Sequence, residues 1–301
     1  MIQFLADNDS RRSERGATLI STLLIILMLV GLVTSMSAFV VNKYTVLAID
    51  SDTVMLEALT RSGLEAGVYR VLTTPPEFAV SGAYSVHLTT GDVVVSFTGE
   101  TARINLNQAP RDWIAAVITS VASPADNPAA LADAVERRRV TTGLPGSEAP
   151  AGSGRSGPLA HPEELRSLPG MTERLYARLE PLVTIYSPSA TIDPRIAPEA
   201  LLATLPGMTE ARLRALLSLR LRDEAEFRKI LDESGEARKL LDFGRGNSIR
   251  FRIEARLKNG TQRVSEVVAA LFPDDSEPYR VLYWSDTHVH RSGKISKGAS
   301  M

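Results

Sequence analysis

The most extended pattern in the chain is an uncharged, apolar run that covers residues 17–41. As a helix, this run spans about 37 Å, which is enough to cross the roughly 30 Å hydrocarbon core of a bilayer with some tilt. A secretory signal would have a shorter apolar part of about 7–15 residues. Because no turn or breaker follows before residue 73, we predict a retained transmembrane helix over residues 17–41.

Charges on either side of this run predict its orientation. Arg11, Arg12 and Arg15 precede it, and Lys43 is the one basic residue close after it. By the positive-inside rule the N-terminus is cytoplasmic, and about 260 residues lie across the membrane.

The helical pattern continues beyond the apolar run. No proline interrupts residues 50–72, and we predict that the helix ends at residues 73–76, where two prolines follow two threonines. Gly63 and Gly67 are four residues apart and share a face, which would allow close packing on a sheet. The residues predicted to form the apolar face are Met55, Leu59, Ser62, Ala66, Tyr69 and Leu72.

Two regions with a period of two flank a long helical region. Strand patterns at 84–88 and 93–97 predict a hairpin, and patterns at 249–257, 263–272 and 279–284 predict three more strands. We predict an α+β fold in which a long N-terminal helix packs on a small antiparallel sheet with a large all-α insert. The predicted segments are 1–16 (leader), 17–41 (transmembrane), 42–103 (helix and first strands), 104–243 (insert), 244–290 (last strands) and 291–301 (flexible tail).

The insert contains an internal repeat. The sequence Leu-Pro-Gly-Met-Thr-Glu occurs at 168–173 and again at 205–210. A second pair relates residues 104–110, INLNQAP, to residues 192–198, IDPRIAP. We infer two related helical units, which we call the first repeat (104–187) and the second repeat (190–243).

Composition limits the chemistry that the chain offers. It has no cysteine, which excludes disulfides and thiolate catalysis, and its four histidines with no G-x-S-x-G motif argue against an enzyme. Asp286, His288 and His290 alternate, so that a regular strand would place them on one face, where they could bind a metal. The oxygen-rich segment 274–277 could hold calcium, although we favour a solvated hairpin turn. We therefore predict no cofactor and leave calcium open.

The N-terminus resembles that of the type IV prepilin class, in which a short basic leader ending in glycine precedes a long apolar helix. The order of the later motifs resembles the K-type minor pseudopilin family of bacterial type II secretion. That family has a large helical insert with two SAM-like units, which are opened by N-x-N-x-A-P-like segments and contain Leu-Pro-Gly turns. The matching turns here are Leu168, Pro169 and Gly170, and Leu205, Pro206 and Gly207.

The resemblance implies a pilin-like inner-membrane protein, mostly periplasmic, that caps the pseudopilus tip and initiates its assembly for protein export. A prepilin peptidase would cut between Gly16 and Ala17, and Ala17 would be N-methylated. Implied partners are the I- and J-type minor pseudopilins, the major pseudopilin and inner-membrane lipid. Secreted substrates and the outer-membrane secretin are implied as further contacts.

One position within the apolar run distinguishes subgroups of this class. Most pilins have glutamate as the fifth residue of the mature chain, whereas this chain has Ser21, and the K-type family is similar in lacking the glutamate. Ser21 could also be an ordinary polar residue of a membrane helix. Small residues, here Gly31, Ser35, Ser37 and Ala38, offer a surface for close helix packing in lipid.

Two alternatives remain: a minor pilin of a type IV pilus, and a membrane-anchored DNA-uptake protein. Leu-Pro-Gly before a helix resembles the helix-hairpin-helix motif, in which main-chain N–H groups bind phosphate. However, Thr172 and Thr209 occupy the place of the motif's second glycine. Residues 104–243 also contain 17 basic and 19 acidic residues, which is not a basic surface. We therefore predict that nucleic acid is not a partner.

Overall fold

The structure, a computed structural model, describes residues 3–75, 80–140, 157–220, 224–233, 235–244 and 246–291. Side chains are described in these ranges except at 3–20, 36–50, 140, 224 and 287–291. Contacts divide the chain into two compact units, Met1–Glu57 and Ala58–Met301. The second unit combines helices with an antiparallel sheet, as predicted.

The elements follow one another in the order helix, strands, helices, strands. The α-helices are α1 Gln3–Thr73, α2 Arg111–Val121, α3 Pro128–Val140, α4 Glu173–Leu179, α5 Glu199–Leu202, α6 Glu210–Leu219 and α7 Glu224–Asp232. The strands are β1 Ser81–His87, β2 Gly91–Gly99, β3 Ile104–Asn105, β4 Val183–Thr184, β5 Ser248–Leu257, β6 Thr261–Leu271 and β7 Tyr279–Arg291. Short 3-10 helices are Glu100–Ala102, Pro162–Ser167, Glu180–Leu182 and Gly235–Leu240.

The main sheet has the strand order β1-β2-β5-β6-β7, and every neighbouring pair is antiparallel. Strand β2 pairs directly with β5, with Gly99 opposite Ile249. The helical region therefore leaves the sheet and returns to it between adjacent strands. The prediction that strands before and after the insert form one sheet is confirmed.

The last strand of the sheet is longer than the strand predicted at residues 279–284. Strand β7 continues to Arg291, because its pairing with β6 extends to the pair of Thr261 and Arg291. The predicted tail begins at residue 291, and its remaining residues, 292–301, lie outside those that the structure describes.

Gly63 and Gly67 of α1 lie against the sheet, as predicted. A Cβ atom added at Gly63 would come within 2.7 Å of Val93 Cγ1, and one at Gly67 would come within 2.9 Å of Phe251 Cε1. The Tyr84 hydroxyl donates a hydrogen bond of 3.0 Å to the Gly63 carbonyl. These contacts explain two residues of low helix propensity in the interior of a helix.

The predicted apolar face of α1 is largely wrong. Met55 and Tyr69 are 44% and 71% exposed, and of the predicted set Leu59 alone is buried. The physical reason is that the sheet packs on the face of α1 that carries the glycines. Glycine has no side chain, so the helix and the sheet come closest on that face. Within residues 58–73 the buried residues are Leu59, Thr60, Gly63, Leu64, Gly67, Val68 and Val71.

In the first unit, the described side chains at residues 21–35 are exposed. Among the residues that the structure describes, no helix combines the length and the apolar character that a membrane crossing demands. The predicted transmembrane segment, 17–41, includes side chains outside the described ones, and it stays a prediction.

The insert has a hydrophobic core of its own. Its buried apolar residues run from Ile104 to Leu241 and include Trp113, Leu165 and Phe227. The insert is therefore a packed body of helices rather than a long loop.

Candidate functional site at the base of the insert

The insert leaves the sheet at Glu100 and returns to it just before Arg250, and these two residues form a buried ion pair. Glu100 is fully buried and Arg250 is 7% exposed. Arg250 Nε lies 2.6 Å from Glu100 Oε1, and Nη2 lies 3.2 Å from Oε2. This two-point contact joins the exit and return strands at the base of the insert.

More polar side chains satisfy the same pair. The Thr184 hydroxyl donates to Glu100, and Arg250 Nη1 also contacts Glu266 on β6. Burial acts to lower the pKa of Arg250, but the carboxylates of Glu100 and Glu266 outweigh burial and raise it. The guanidinium is therefore permanently charged, and the network connects the sheet to the end of the first repeat.

The first repeat also packs against strand β7. The Tyr186 and Tyr283 rings have centroids 6.0 Å apart, and the Tyr283 hydroxyl donates a 2.8 Å hydrogen bond to Glu163. Burial, with the Glu163 carboxylate, raises the pKa of Tyr186, so the phenol stays protonated. These contacts cover one end of the sheet face opposite α1.

The segments that open the two repeats have the same local structure. In the first, Asn105 Oδ1 accepts from the Asn107 N–H at 2.8 Å; in the second, Asp193 Oδ1 accepts from the Arg195 N–H at 2.9 Å. Ala109 and Ala197, both buried, then donate from N–H to the carbonyls of Asn105 and Asp193 respectively. Each segment ends at a proline that precedes a helix.

The two Leu-Pro-Gly turns are also equivalent. Gly170 and Gly207 have φ of +89° and +70°, a backbone conformation that favours glycine. Thr172 then caps α4 and Thr209 caps α6, each accepting a hydrogen bond from the N–H three residues on, at 3.2 and 3.3 Å. Leu168 and Leu205 are buried, whereas Pro169 and Pro206 are exposed. The structure therefore explains both turns as helix starts.

Each repeat is closed by a short parallel contact between its beginning and its end. In the first repeat, Ile104 and Asn105 of β3 pair with Val183 and Thr184 of β4. In the second repeat, Ile192 forms a parallel bridge with Leu241.

The two repeats meet at an apolar groove of about 510 Å³. Its floor includes Trp113 from the first repeat and Pro206 from the second. Trp113 Nε1 donates a 3.1 Å hydrogen bond to the Thr204 hydroxyl, which fixes the ring at the junction.

The arginines near the second Leu-Pro-Gly turn have partners within the protein. Arg212 donates to the Gly207 carbonyl, Arg220 to the Ala197 carbonyl, and Arg214 pairs with Glu210. The DNA-binding alternative would need these arginines to bind phosphate. Their contacts within the protein support a structural role instead.

The metal hypothesis at the last strand is wrong in its geometry. A bulge shifts the register so that Asp286 pairs with Ser265 while His288 pairs with Val264. Ser265 and Val264 are consecutive, so these register positions belong to opposite faces of the sheet. Within the described residues, no group of three histidine or acidic side chains is arranged to hold a metal ion.

Calcium at residues 274–277 has a competing explanation. Arg280 Nη2 lies 3.2 Å from Asp275, and its Nε lies 3.7 Å from Glu277. Hydrogen bonds from the Glu277 N–H and from Ser276 lower the pKa of Asp275.

The predicted processing and packing residues lie along α1. Gly16, Ala17 and Ala38 are at positions whose side chains fall outside the described ones. Ser21, Gly31 and Ser35 are exposed, and an added Cβ at Gly31 would meet no atom of the described residues within 4 Å. The roles predicted for these residues stay predictions.

The buried network at the base was missed from the sequence. Glu100 and Arg250 are 150 residues apart. The available signal was weak, because Arg250 lies in the same alternating pattern as Arg252, Glu254 and Arg256, which are charged and exposed.

Comparisons with known proteins agree with this architecture. Residues 101–189 match the family model described as type II secretion system, protein K. A search of curated proteins found no match. Among solved structures, the chain is similar to a chain of the crystal structure of the GspK-GspI-GspJ complex from the enterotoxigenic Escherichia coli type 2 secretion system. The identity is 16% and the TM-score 0.58, over 79% of this chain and 98% of that one.

The matched segment, 101–189, begins next to Glu100 and ends just beyond Ser187, so it covers the first repeat. The structural match shows that the fold is shared. The resemblance to K-type minor pseudopilins of type II secretion, first indicated by motif order, is thereby confirmed.

Proposed function

We propose that this protein is a minor pseudopilin of a type II secretion system, located at the tip of the pseudopilus, where it initiates assembly. The observation that carries the proposal is the helical insert between adjacent strands β2 and β5, in which residues 101–189 match the protein K model. In this role the protein is a structural component and not an enzyme.

The bulk of the insert and its attachment to the sheet support a tip position. In a filament, the packed insert would obstruct the addition of another subunit above it. The Glu100–Arg250 pair and its partners would hold the body in one orientation. Ser21, which replaces the usual glutamate, fits a subunit that has no neighbour beyond it to pair with.

In this proposal the N-terminus is cytoplasmic, residues 17–41 cross the inner membrane, and the rest of the chain is periplasmic. A prepilin peptidase cuts after Gly16 and methylates Ala17. Helix α1 then packs against the helices of other pseudopilins through the small residues Gly31, Ser35 and Ala38. The I- and J-type minor pseudopilins are the proposed direct partners, since the similar solved chain comes from a GspK-GspI-GspJ complex.

The leader assignment is tested by the N-terminal sequence of the protein isolated from membranes. Wild type should begin at Ala17, and Gly16→Ala should retain Met1 because the peptidase requires glycine at that position. Gly31→Ala is the matched control: the same substitution in the same helix, at a site with open space around it, should leave processing intact. A Gly16→Ala chain that begins at Ala17 would contradict the assignment.

The tip role is tested by co-purification of the full chain with its I- and J-type counterparts. We expect one complex that contains all three proteins. The major pseudopilin should not bind on the side of the insert that faces away from the sheet. Isolation of the chain as a monomer in the presence of both counterparts would rule out the role. A chain required for surface pili but not for secretion would favour the type IV pilus alternative.

A further inference from the structure

The sheet has two edges, and they differ in how far they are protected. Strand β7 forms one edge and is interrupted by register shifts between Val264 and Ser265 and between Val268 and Ala269 of its partner strand. It also carries the charged residues Arg280 and Asp286, and Tyr283 is covered by the insert. Bulges, charges and covering segments are the devices by which proteins prevent an edge from pairing with another strand.

Strand β1 forms the other edge, and none of these devices is found there among the residues that the structure describes. It pairs with β2 in unbroken register over seven residues. Its sequence, SGAYSVH, has no proline, lysine, arginine or acidic residue, and five of its seven residues are exposed. Within the described part of the chain, no segment other than β2 pairs with its main chain.

The hairpin fixes which main-chain groups of β1 point away from the sheet. Leu88 and Gly91 exchange hydrogen bonds of 2.9 and 3.3 Å, and the Gly99 N–H donates 2.8 Å to the Val80 carbonyl. Because inward and outward pairs alternate in an antiparallel ladder, residues 82, 84 and 86 bond to β2. The residues whose N–H and C=O groups point outward are Ser81, Ala83, Ser85 and His87.

The side chains of these outward-bonding residues leave room for another strand. Ala83 and Ser85 lie opposite Ser96 and Val94, on the face away from α1, and both are small and exposed. On the α1 face a cation lies next to this edge, because the Arg70 guanidinium is 5.3 Å from the centre of the Tyr84 ring. No carboxylate among the described residues forms an ion pair with Arg70.

We propose that the β1 edge accepts an extended strand from a neighbouring pseudopilin subunit, which extends the sheet by one strand. The main-chain groups of residues 81, 83, 85 and 87 supply the hydrogen bonds, as in other cases of strand addition. Arg70 selects a strand with a carboxylate on the α1 side. This inference rests on the proposed function, because it takes the partner to be another subunit of the same filament.

The absence of cysteine makes this edge testable by site-specific crosslinking. Ser85→Cys places one thiol on the β1 edge, and Ser285→Cys places the matched thiol on the β7 edge. A thiol-coupled benzophenone is attached, and the full chain is irradiated in its complex with the I- and J-type minor pseudopilins. We expect at least a fivefold higher yield of adduct to one of these partners from position 85 than from position 285, with the adduct in a strand of the partner.

Two further variants separate strand pairing from mere proximity. Ala83→Pro removes one outward N–H that β2 does not use, and Ala83→Lys adds an edge charge in case proline disturbs the strand. Each should lower the adduct yield from position 85 at least fivefold, with the unfolding midpoint unchanged. Arg70→Glu should lower it more than Arg70→Ala.

Equal adducts from both edges, or an adduct to a secreted protein or to a second copy of this chain, would overturn the proposal. If the three proteins co-purify but position 85 gives no adduct, the strand-addition proposal fails while the proposed function stands. If they do not co-purify at all, the proposed function itself fails.

Discussion

The two repeats of the insert have the same backbone geometry at their opening segments but differ in the charge of one buried side chain. Asn105 and Asp193 both anchor a turn and are both buried. Asn105 donates from Nδ2 to the Ser187 carbonyl at the end of its own repeat. Asp193 instead binds Arg195, which donates a 2.6 Å hydrogen bond to the Phe243 carbonyl at the end of the second repeat.

The start of each repeat is therefore joined to its end by different chemistry. A neutral amide makes the connection in the first repeat, and an ion pair makes it in the second. An amide that bonds to main chain carries little desolvation cost, whereas a buried carboxylate needs a full partner. The ion pair that matters to the first repeat lies at its attachment to the sheet, where Glu100 meets Arg250. We infer that the insert uses charge at the two places where it joins the strands, near residues 100 and 243.

Removing each anchor in turn should give the largest difference between the two repeats. Asp193→Ala leaves the partly buried Arg195 guanidinium, which is 14% exposed, without its carboxylate and should cost about 3 kcal/mol of unfolding free energy. Asn105→Ala loses neutral hydrogen bonds and should cost about 1–3 kcal/mol. Urea unfolding of the full chain in detergent measures both, and equal losses would contradict the assigned difference.

The charge itself can then be exchanged between the two anchors. Asn105→Asp puts a carboxylate beside the Ser187 carbonyl and should destabilise the protein more than Asp193→Asn, which retains the turn and loses only the charge. The same unfolding measurement decides the order. The reverse order would mean that the Asp193–Arg195 ion pair stabilises the protein by more than an unpaired carboxylate at position 105 destabilises it.

The two glycine turns should respond alike, because their backbones are alike. Gly170→Ala and Gly207→Ala force a β-carbon into the left-handed region and should each cost about 1–2 kcal/mol. No atom of the described residues lies within 4 Å of the added Cβ at either site, so we expect no steric contribution. Gly207→Asn is the control, since asparagine tolerates this conformation, and it should cost less than alanine.

The smallest predicted effect lies at the helix caps. Thr172→Ala and Thr209→Ala each remove one capping hydrogen bond and should each cost about 1 kcal/mol. Thr172→Ser and Thr209→Ser keep the hydroxyl and should recover most of that loss. A shift of the unfolding midpoint at one site alone would show that the two caps are not equivalent.

The fold was predictable where local pattern decides structure. Alternation between residues 249 and 257 predicted β5, Pro75 and Pro76 predicted the end of α1, and the repeated motifs predicted two equivalent turns. The contacts of Gly63 and Gly67 followed from their spacing of four.

Features that depend on distant residues were not predictable in the same way. The choice of buried face on α1 was wrong because the sheet's approach to the glycines decided it, and Tyr69 was left exposed. The Thr287 region was assumed to alternate regularly, but pairing with β6 introduced a bulge there. The Glu100–Arg250 pair joins residues that no local pattern relates.

The adjacency of β2 and β5 has a consequence for how the molecule acquires its structure. Nearly 150 residues separate these neighbouring strands, and closing a flexible loop of that length costs on the order of 4 kcal/mol in chain entropy. An insert that collapses first, around its own core, shortens that loop before the ladder forms, since the Asp193 N–H bonds to the Thr101 carbonyl close to the exit point. We therefore expect the helical body to form before the β2–β5 ladder, and a short β2–β5 connection in its place should speed the sheet's assembly by lowering its contact order.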